Sequence, residues 1–260
     1  LWVIVFILVF DLLWLYRVVY FNIFVVLSWK RHREVQKVNW QKKLETLSNA
    51  RNIHHLVFLP TYKEDYSIIR ETLRSLKENS FPNHRILDLL GGQEADKEAF
   101  GKHVHRAQKE FGSVFKALIV TLHPKGLPQG IPGKGSNLNW MGHEVENILH
   151  EKYPKISDED IVVSSFDIDT IAHPQYFSYL TYLYCTVENP TRSSYQPIAL
   201  FSNNIWNASA PVRIAAFGTT FWLFGELTRP DRLWTFSSHS MPWKMLKDVR
   251  FWQKDIVSED

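Results

Sequence analysis

The pattern of apolar and polar positions divides the chain into an apolar beginning and an alternating remainder. The first 29 residues are almost wholly apolar, and Asp11 and Arg17 are their only charged side chains. Because about 20 helical residues cross a bilayer core, this stretch predicts a membrane helix. Either the part up to about Tyr16 is the remainder of a truncated span and the rest lies at the interface, or one tilted helix runs to about Leu27. A buried core helix of a soluble protein is the alternative.

A basic segment follows the apolar stretch directly. Glu34 is the only acidic residue among six cations, which are Lys30, Arg31, Arg33, Lys37, Lys42 and Lys43. Basic residues next to a span favour the cytoplasmic side, and they attract anionic lipid headgroups. A solvated helix face would have the same composition. We therefore predict a membrane and juxtamembrane part over residues 1–50 and a cytoplasmic catalytic domain over residues 51–260.

The remainder alternates short apolar runs with helical periodicity. Strands are predicted over 53–60, 85–90, 115–122 and 161–166, and helices over 65–80, 96–112 and 136–150. Asp65 and Ser136 are the expected helix caps, and Gly91 and Gly92 are expected to close the second strand. Strands that alternate with helices indicate an α/β fold, with a mainly parallel central sheet flanked by helices.

Polar residues follow each predicted strand at its carboxyl end, where ligands bind in open parallel sheets. They are Pro60, Thr61 and Glu64 after the first strand, Glu94 and Asp96 after the second, His123, Lys125 and the "GIPGKGSN" loop after the third, and Asp167 and Asp169 after the fourth. All of these residues should face one crevice.

The composition of the chain excludes several kinds of partner and site. The 260 residues suffice for one α/β domain with a small attachment, and a net charge of +3 is too weak to indicate nucleic acid as a partner. A single cysteine, Cys185, excludes an intrachain disulfide and a cysteine-rich zinc site. The histidines lack zinc-ligand spacing and are mostly expected at the surface, with His239 a candidate for the crevice. Both ends of the chain are expected to be cut from a longer protein.

The stretch "SSFDIDT" places two carboxylates at a strand end. Asp167 and Asp169 would repel each other unless a cation lies between them, and carboxylates with phosphate are preferred ligands of Mg²⁺ or Mn²⁺. A solvated turn is the alternative.

The "GIPGKGSN" loop fails the test for a nucleotide triphosphate-binding P-loop. That pattern requires glycine at position 128 and Ser or Thr at position 135, and the chain has Pro128 and Gly135. Lys134 nevertheless precedes a predicted helix start, where backbone N–H groups favour anions. It is a candidate for contact with a diphosphate, and an exposed loop lysine is the alternative.

Four segments in order, "LPTYKED", "GKGSNLN", "SSFDIDT" and "SED", resemble the motifs of family-two glycosyltransferases with the GT-A fold. The membrane-bound, cellulose-synthase-like and hyaluronan-synthase-like branch is the most similar in layout, over about residues 54 to 260. "DIDT" resembles that family's D-x-D motif, and "SED" resembles the start of its E-D motif. The family usually has an aspartate after the second strand, where this chain offers Glu94 or Asp96. The downstream Q-x-x-R-W motif of processive members does not occur in this chain.

The resemblance implies a role for each matching residue. Asp260 would be the catalytic base, Asp169 with Asp167 would hold Mg²⁺ or Mn²⁺, and the nucleotide-sugar would contact Pro60, Thr61, Glu64, Glu94, Lys134, Asn137 and Asp167. The acceptor side would run from "AFGTTFWLFGEL" through "SSHSMPW". Trp222, Trp234 and Trp243 are candidates there for stacking on sugar rings, with burial in the core as the alternative.

The function implied by the resemblance is a membrane-anchored, metal-dependent, inverting hexosyl transfer in polysaccharide biosynthesis. A nucleoside-diphosphate sugar would be the donor, and a saccharide or a lipid-linked molecule the acceptor, at the plasma or inner membrane. The alternatives are a sugar-phosphate nucleotidyltransferase and a non-catalytic nucleotide-sugar-binding membrane protein. The former normally has a glycine-rich signature after the first strand, which "LPTYKED" lacks.

Overall fold

The computed structural model describes residues 1–127, 131, 133–203, 205–229, 231, 235–236 and 238–255. The strands are β1 (His54–Pro60), β2 (Ile86–Gln93), β3 (Ala117–His123), β4 (Ile161–Ser165) and β5 (His239–Pro242). The helices are α1 (Trp2–Lys37), α2 (Trp40–Leu44), α3 (Tyr66–Lys77), α4 (Lys97–Phe111), α5 (Lys134–Lys152), α6 (Tyr176–Thr186), α7 (Ala210–Glu226) and α8 (Trp243–Asp248). The α/β class with an N-terminal apolar helix, which the sequence predicts, is confirmed.

The described residues form two compact units. The helical unit comprises Leu1–Val38 and the described part of Gln196–Thr235. The sheet unit comprises Asn39–Tyr195 and the described residues from Phe236 onward. The segment that carries α7 is therefore an insertion in the sheet unit. The boundary near residue 50 between a membrane part and a catalytic domain stays a prediction.

The sheet unit is built on five strands in the order β3-β2-β1-β4-β5. β1 pairs in parallel with β2 on one side and with β4 on the other, so Phe58 lies opposite both Leu89 and Ser165. β5 is antiparallel to β4. The predicted mainly parallel sheet is confirmed, and β5 is an additional edge strand.

Alternate side chains of the central strands enter two separate cores. Val57 and Leu59 of β1 pack with α3 and α4 on one face of the sheet. Leu56 and Phe58 pack on the other face with α5 and with Trp243. Trp243 is 1% exposed, so it is a core residue and not part of an acceptor surface.

Two predicted element boundaries are wrong. β2 does not stop before Gly91 and Gly92 but runs through both. A Cβ atom at Gly91 would collide with Met141, and one at Gly92 with Phe100, so the missing side chains let helices on both faces approach the strand. α5 begins at Lys134 and not at Ser136, which is buried within its first turn.

Two histidines are buried, and for His55 this contradicts its predicted surface position. His55 was expected at the surface, but it is fully buried in β1, with its Nε2 2.7 Å from Thr181 Oγ1 and its ring between Phe81 and Phe177. Burial lowers the pKa of His55 to about 3, so the ring is neutral at physiological pH. His239 lies within β5, also buried, with its Nδ1 3.0 Å from the carbonyl oxygen of residue 236.

The helical unit is dominated by α1, which is 36 residues long. Among the described residues it is the one helix with the length and hydropathy to cross a membrane. Its first 18 residues are all exposed, whereas Ser28 near the other end is buried. Helix α7 packs against the second half of α1, through Phe21 with Phe221 and through Trp29 with Phe224.

Candidate functional site

The strand order reverses its direction between β1 and β4, which is where a crevice is expected. The chain moves from β1 to β2 and on to β3 in one direction, and then returns to place β4 on the opposite side of β1. Where successive connections leave in opposite directions, the loops at the carboxyl ends of the strands part, and ligands bind there in open α/β sheets. Thr61 follows β1 and Asp167 follows β4, so both lie at this edge.

The "DIDT" stretch forms a turn directly after β4. The backbone N–H of Thr170 donates to the carbonyl of Asp167 at 2.9 Å, and the Thr170 hydroxyl lies 3.1 Å from Ser238 Oγ. Ile168 is buried, Asp167 is half-buried and Asp169 is exposed. The middle side chain therefore anchors the turn, and the carboxylates on either side are directed away from the core.

An ion pair joins this turn to the start of α5. Lys134 Nζ lies 2.7 Å from Asp167 Oδ1, with the two side chains 26% and 44% exposed. The lysine follows β3 in the chain and the aspartate follows β4, so the pair brings together two of the predicted site residues. It places a cation beside a carboxylate pair at the carboxyl end of the sheet.

The carbonyl oxygen of Gly91 fixes two more of the predicted residues. It accepts hydrogen bonds from Thr61 N at 2.8 Å, Thr61 Oγ1 at 3.1 Å and Asn137 Nδ2 at 2.9 Å. Thr61 and Asn137 are both buried. These bonds tie the loop after β1 and the first turn of α5 to the end of β2. The part of these two residues in nucleotide-sugar binding stays a prediction.

Acidic residues after β2 hold the neighbouring loops. Glu94 Oε2 accepts from the backbone N–H of Lys125 at 2.7 Å, and Asp96 Oδ2 accepts from the backbone N–H of Lys63 at 3.1 Å. Lys63 has a positive φ of 66°, which the second bond helps to hold. Both candidates for the acid after the second strand therefore organise the loops that follow β1 and β3.

The loop after β1 is itself held by a local contact. Pro60 is the buried last residue of β1, and the carboxylate of Glu64 accepts a short hydrogen bond from the backbone N–H of Tyr62. Glu64 thus shapes the turn that leaves the strand, and its contact with a nucleotide stays a prediction.

Two residues that the motif comparison does not use also support the site. Ser238, whose hydroxyl contacts Thr170, comes from the segment before β5 and has a positive φ of 66°. His123, at the end of β3, has its Nε2 3.1 Å from the hydroxyl of Ser136. Burial lowers the pKa of His123, so its ring is neutral at pH 7. The position of His123 after a strand is visible in the sequence, whereas the contact of Ser238 depends on the tertiary fold.

The carboxylates of this turn suit a hard divalent ion. Mg²⁺ and Mn²⁺ prefer oxygen ligands and keep several positions for water and phosphate, so one or two carboxylates suffice from the protein. In the described part of the chain, no cluster of three or more His, Cys, Asp or Glu side chains is arranged around a metal position. Asp167 and Asp169 supply two carboxylates, and an ion held by them would take its other ligands from water and phosphate.

Several predicted positions fall elsewhere. Asp260 lies outside the described residues, as do Glu259 and Trp234. Trp222 belongs to α7 of the helical unit and is 37% exposed.

Comparison with known proteins gives distant structural likeness only. No family model matches the chain, and no curated protein does. The mannosyltransferase PcManGT from Pyrobaculum calidifontis, in complex with GDP-Man and Mn²⁺, is 13% identical with a TM-score of 0.48, over 92% of this chain and 61% of that one. TarS 1–349 from S. aureus, in complex with UDP-GlcNAc, is 12% identical with a TM-score of 0.40, over 80% of this chain and 51% of that one. The chain thus spans about three fifths of the first structure and half of the second, and at this level of likeness neither specifies a ligand for it.

Proposed function

We propose that the protein is a membrane-anchored glycosyltransferase of GT-A type that transfers a hexosyl group, with inversion, from a nucleoside-diphosphate sugar to a saccharide or lipid-linked acceptor. The observation that carries the proposal is the Lys134–Asp167 ion pair beside Asp169, at the crevice between β1 and β4. A diphosphate requires a cationic side chain and a metal held by carboxylates at the same place. The order of the four motifs that resemble family two supplies the reaction class.

The chemistry follows from the roles of the side chains. The acceptor hydroxyl attacks the anomeric carbon, the bond from that carbon to the diphosphate oxygen breaks, and the hydroxyl proton passes to the carboxylate of Asp260. Lys134 contacts the departing diphosphate and stabilises its charge. When bound by Asp169 and Asp167, Mg²⁺ or Mn²⁺ supplies Lewis-acid stabilisation of that charge.

The buried residues around the crevice hold the surrounding strands and loops in place. Thr61 and Asn137 hold the ends of β1 and β2 and the start of α5 at fixed separation through Gly91. Glu64 and Glu94 shape the loops on either side, where the base and ribose of a nucleotide would lie. A rigid cradle of this kind lowers the entropy cost of orienting the donor.

The test is turnover by membranes that carry the full-length protein. Radiolabelled nucleotide-sugars are offered with Mn²⁺ and a mixture of saccharide and lipid acceptors, and the Asp169→Ala variant is the matched control. Labelled glycoside together with free nucleoside diphosphate supports the proposal. Formation of nucleotide-sugar from sugar 1-phosphate and nucleoside triphosphate would instead identify a nucleotidyltransferase, and saturable binding without products would identify a binding protein.

The location of the sheet unit is part of the same proposal. The basic residues after the apolar stretch favour a cytoplasmic position for the catalytic domain, at the plasma or inner membrane. Protease digestion of sealed vesicles in both orientations decides this. Inverted vesicles should lose the sheet unit and right-side-out vesicles should retain it, and the reverse pattern would place the domain on the outer side.

A further inference from the structure

Helix α7 exposes an apolar surface that the rest of the described chain does not cover. Of its 17 residues only Arg213 and Glu226 are charged. Ile214 and Phe217 are 75% and 76% exposed, although large apolar side chains normally enter a core. A helix that is apolar on most sides and exposed is typical of contact with lipid.

The exposed residues continue the face by which α7 meets α1. Residues 214, 217, 221 and 224 follow one another at the spacing of a single helix face. Phe221 packs against Phe21 of α1 at 5.6 Å between ring centroids, and Phe224 packs against Trp29 at 5.7 Å. Beyond this crossing the same apolar face runs on through Phe217 and Ile214.

The level at which α7 meets α1 follows the part of α1 in which every residue is exposed. Tyr20 donates to Asp231, which is paired with Arg229 at 2.7 Å. Arg229 is also paired with buried Glu226 at 2.9 Å, and together these contacts fix the end of α7 at the middle of α1. The 18 residues of α1 before this point are exposed, and the basic run begins ten residues after it. Aromatic residues followed by basic ones mark a membrane–water interface.

Connectivity excludes a single crossing by α7. Tyr195 and Ser240 exchange backbone hydrogen bonds of 2.8 and 2.9 Å, so the insertion leaves the sheet unit and returns to it at one place. A helix that crossed the bilayer once would leave these two residues on opposite sides. This connectivity is compatible with an apolar α7 that lies along the membrane surface.

We propose that α7 is an in-plane membrane helix, whose Ile214 and Phe217 insert among the lipid acyl chains of the leaflet nearest the sheet unit. The inference rests on the anchoring by α1 that belongs to the proposed function, and it adds a second lipid contact within the sequence between the "DIDT" turn and β5. The occupant of the apolar face is lipid because the face is continuous with the exposed apolar surface of α1. Arg213, beside Ile214, donates to the carbonyl of Ala208 at 2.8 Å and to that of Trp206 at 3.1 Å, which holds its charge at the start of the helix.

The test measures depth at single residues of the full chain. The native cysteine is first removed by Cys185→Ser. Single cysteines are then introduced into this variant as Ile214→Cys, Phe217→Cys, Leu8→Cys in α1 and Lys109→Cys in α4. Each is labelled with an environment-sensitive fluorophore and reconstituted into phosphatidylcholine–phosphatidylglycerol vesicles. Nitroxide lipids then quench the label, with the nitroxide either near the headgroup or near the methyl end of the acyl chain. Thr219→Cys, on the opposite face of α7, is the matched control.

Labels at positions 214 and 217 should lose most of their fluorescence to the shallow nitroxide and less to the deep one, while labels at 219 and 109 stay bright. The label at position 8 should be quenched by the deep nitroxide. Quenching at 8 without quenching at 214 and 217 would overturn the proposal while leaving the anchor intact. A label at 214 or 217 that is shielded from water but not quenched would show a protein on this face and also overturn it. No quenching at position 8 would refute the anchoring itself, and with it this inference.

Discussion

Replacement of Lys134 by methionine tests whether its ammonium group contributes to ligand binding or to the stability of the fold. Methionine keeps the length and most of the apolar stem but removes the charge that lies 2.7 Å from Asp167 Oδ1. If the lysine is a ligand-binding residue, the loss should appear in affinity for a nucleoside diphosphate. If it is a structural residue, the loss should appear in the stability of the fold.

The geometry gives the expected sizes of both effects. The Asp167 side chain is 44% exposed, so water screens the pair, and such pairs are worth about 0–1 kcal/mol. A hydrogen bond from an ammonium to a phosphate oxygen is charge-assisted and is worth roughly 1.5–3 kcal/mol. At about 1.4 kcal/mol per factor of ten, Lys134→Met should weaken diphosphate binding by about 10- to 100-fold.

Calorimetric titration of UDP and GDP in the presence of Mn²⁺ measures the affinity, and thermal unfolding of the same detergent-solubilised samples measures the stability. Lys109→Met, at an exposed lysine in the last turn of α4, controls for the loss of one positive charge. Lys134→Arg keeps the charge and should recover part of the affinity. Unchanged affinity with a large fall in the melting temperature would refute the ligand role, and so would an equal loss in the Lys109 variant.

Four further results are expected. Asp169→Ala should abolish the Mn²⁺-dependent part of diphosphate binding in calorimetry while thermal unfolding shows that the protein stays folded, because residue 169 lies at the surface. Asp260→Asn in the full-length protein should slow transfer by about 10²–10⁴-fold with donor affinity retained, since a base acts on the acceptor proton; equal loss of both would make it a donor-binding residue. Gly91→Ala should cost about 1–3 kcal/mol in denaturant unfolding because its Cβ would collide with Met141, and adding Met141→Ala should restore part of the loss. Asp88→Leu should raise the free energy of unfolding by at least about 1–3 kcal/mol. The increase should be larger at about pH 8 than at about pH 4, and an increase that does not depend on pH would refute this reasoning.

The sign of the pH effect at Asp88 follows from its environment. The side chain is fully buried in β2, and neither carboxyl oxygen has a hydrogen-bond partner among the described residues. Burial raises the pKa of Asp88 well above its usual value, so the folded protein holds a proton there that the unfolded chain releases above about pH 4. Stability contributed by this residue is therefore present below about pH 4 and is lost as the pH rises through the folded pKa. Leucine removes the titration.

Local signals in the sequence were sufficient for the central sheet and its first crossovers. The cap at Asp65 is confirmed, since its carboxylate accepts from Ser67 N at 2.8 Å, and this bond lowers the pKa of Asp65. The continuous apolar runs of β1 and β4 identify buried parallel strands because both faces of such strands are covered. β5 has only four residues and lacks such a run, so its pairing with β4 is visible only in the folded chain.

Tertiary contacts decided what the local pattern could not. His55 has a polar side chain next to another histidine, and its burial is accompanied by a hydrogen bond to Thr181, which is 126 residues away in the chain. The sequence predicts part of an acceptor surface in α7, and this stays a prediction. It does not show that Phe221 and Phe224 pack against Phe21 and Trp29. In the site, the pattern predicted which loops meet, but not that Thr61 and Asn137 would share the carbonyl of Gly91.

The shared carbonyl and the ion pair give the two sides of the crevice different mechanical properties. On one side, buried Thr61 and Asn137 are held by three hydrogen bonds to Gly91, and breaking these would expose unsatisfied polar groups. On the other side, Lys134 and Asp167 are joined by a partly exposed pair that costs little to open. A diphosphate that binds there can draw Lys134 away from Asp167, and the released carboxylate oxygen then becomes available to a divalent ion. Donor and metal binding should therefore strengthen each other at this turn. The diphosphate neutralises the Lys134 ammonium, the metal ion neutralises the Asp167 carboxylate, and either ligand opens the ion pair for the other.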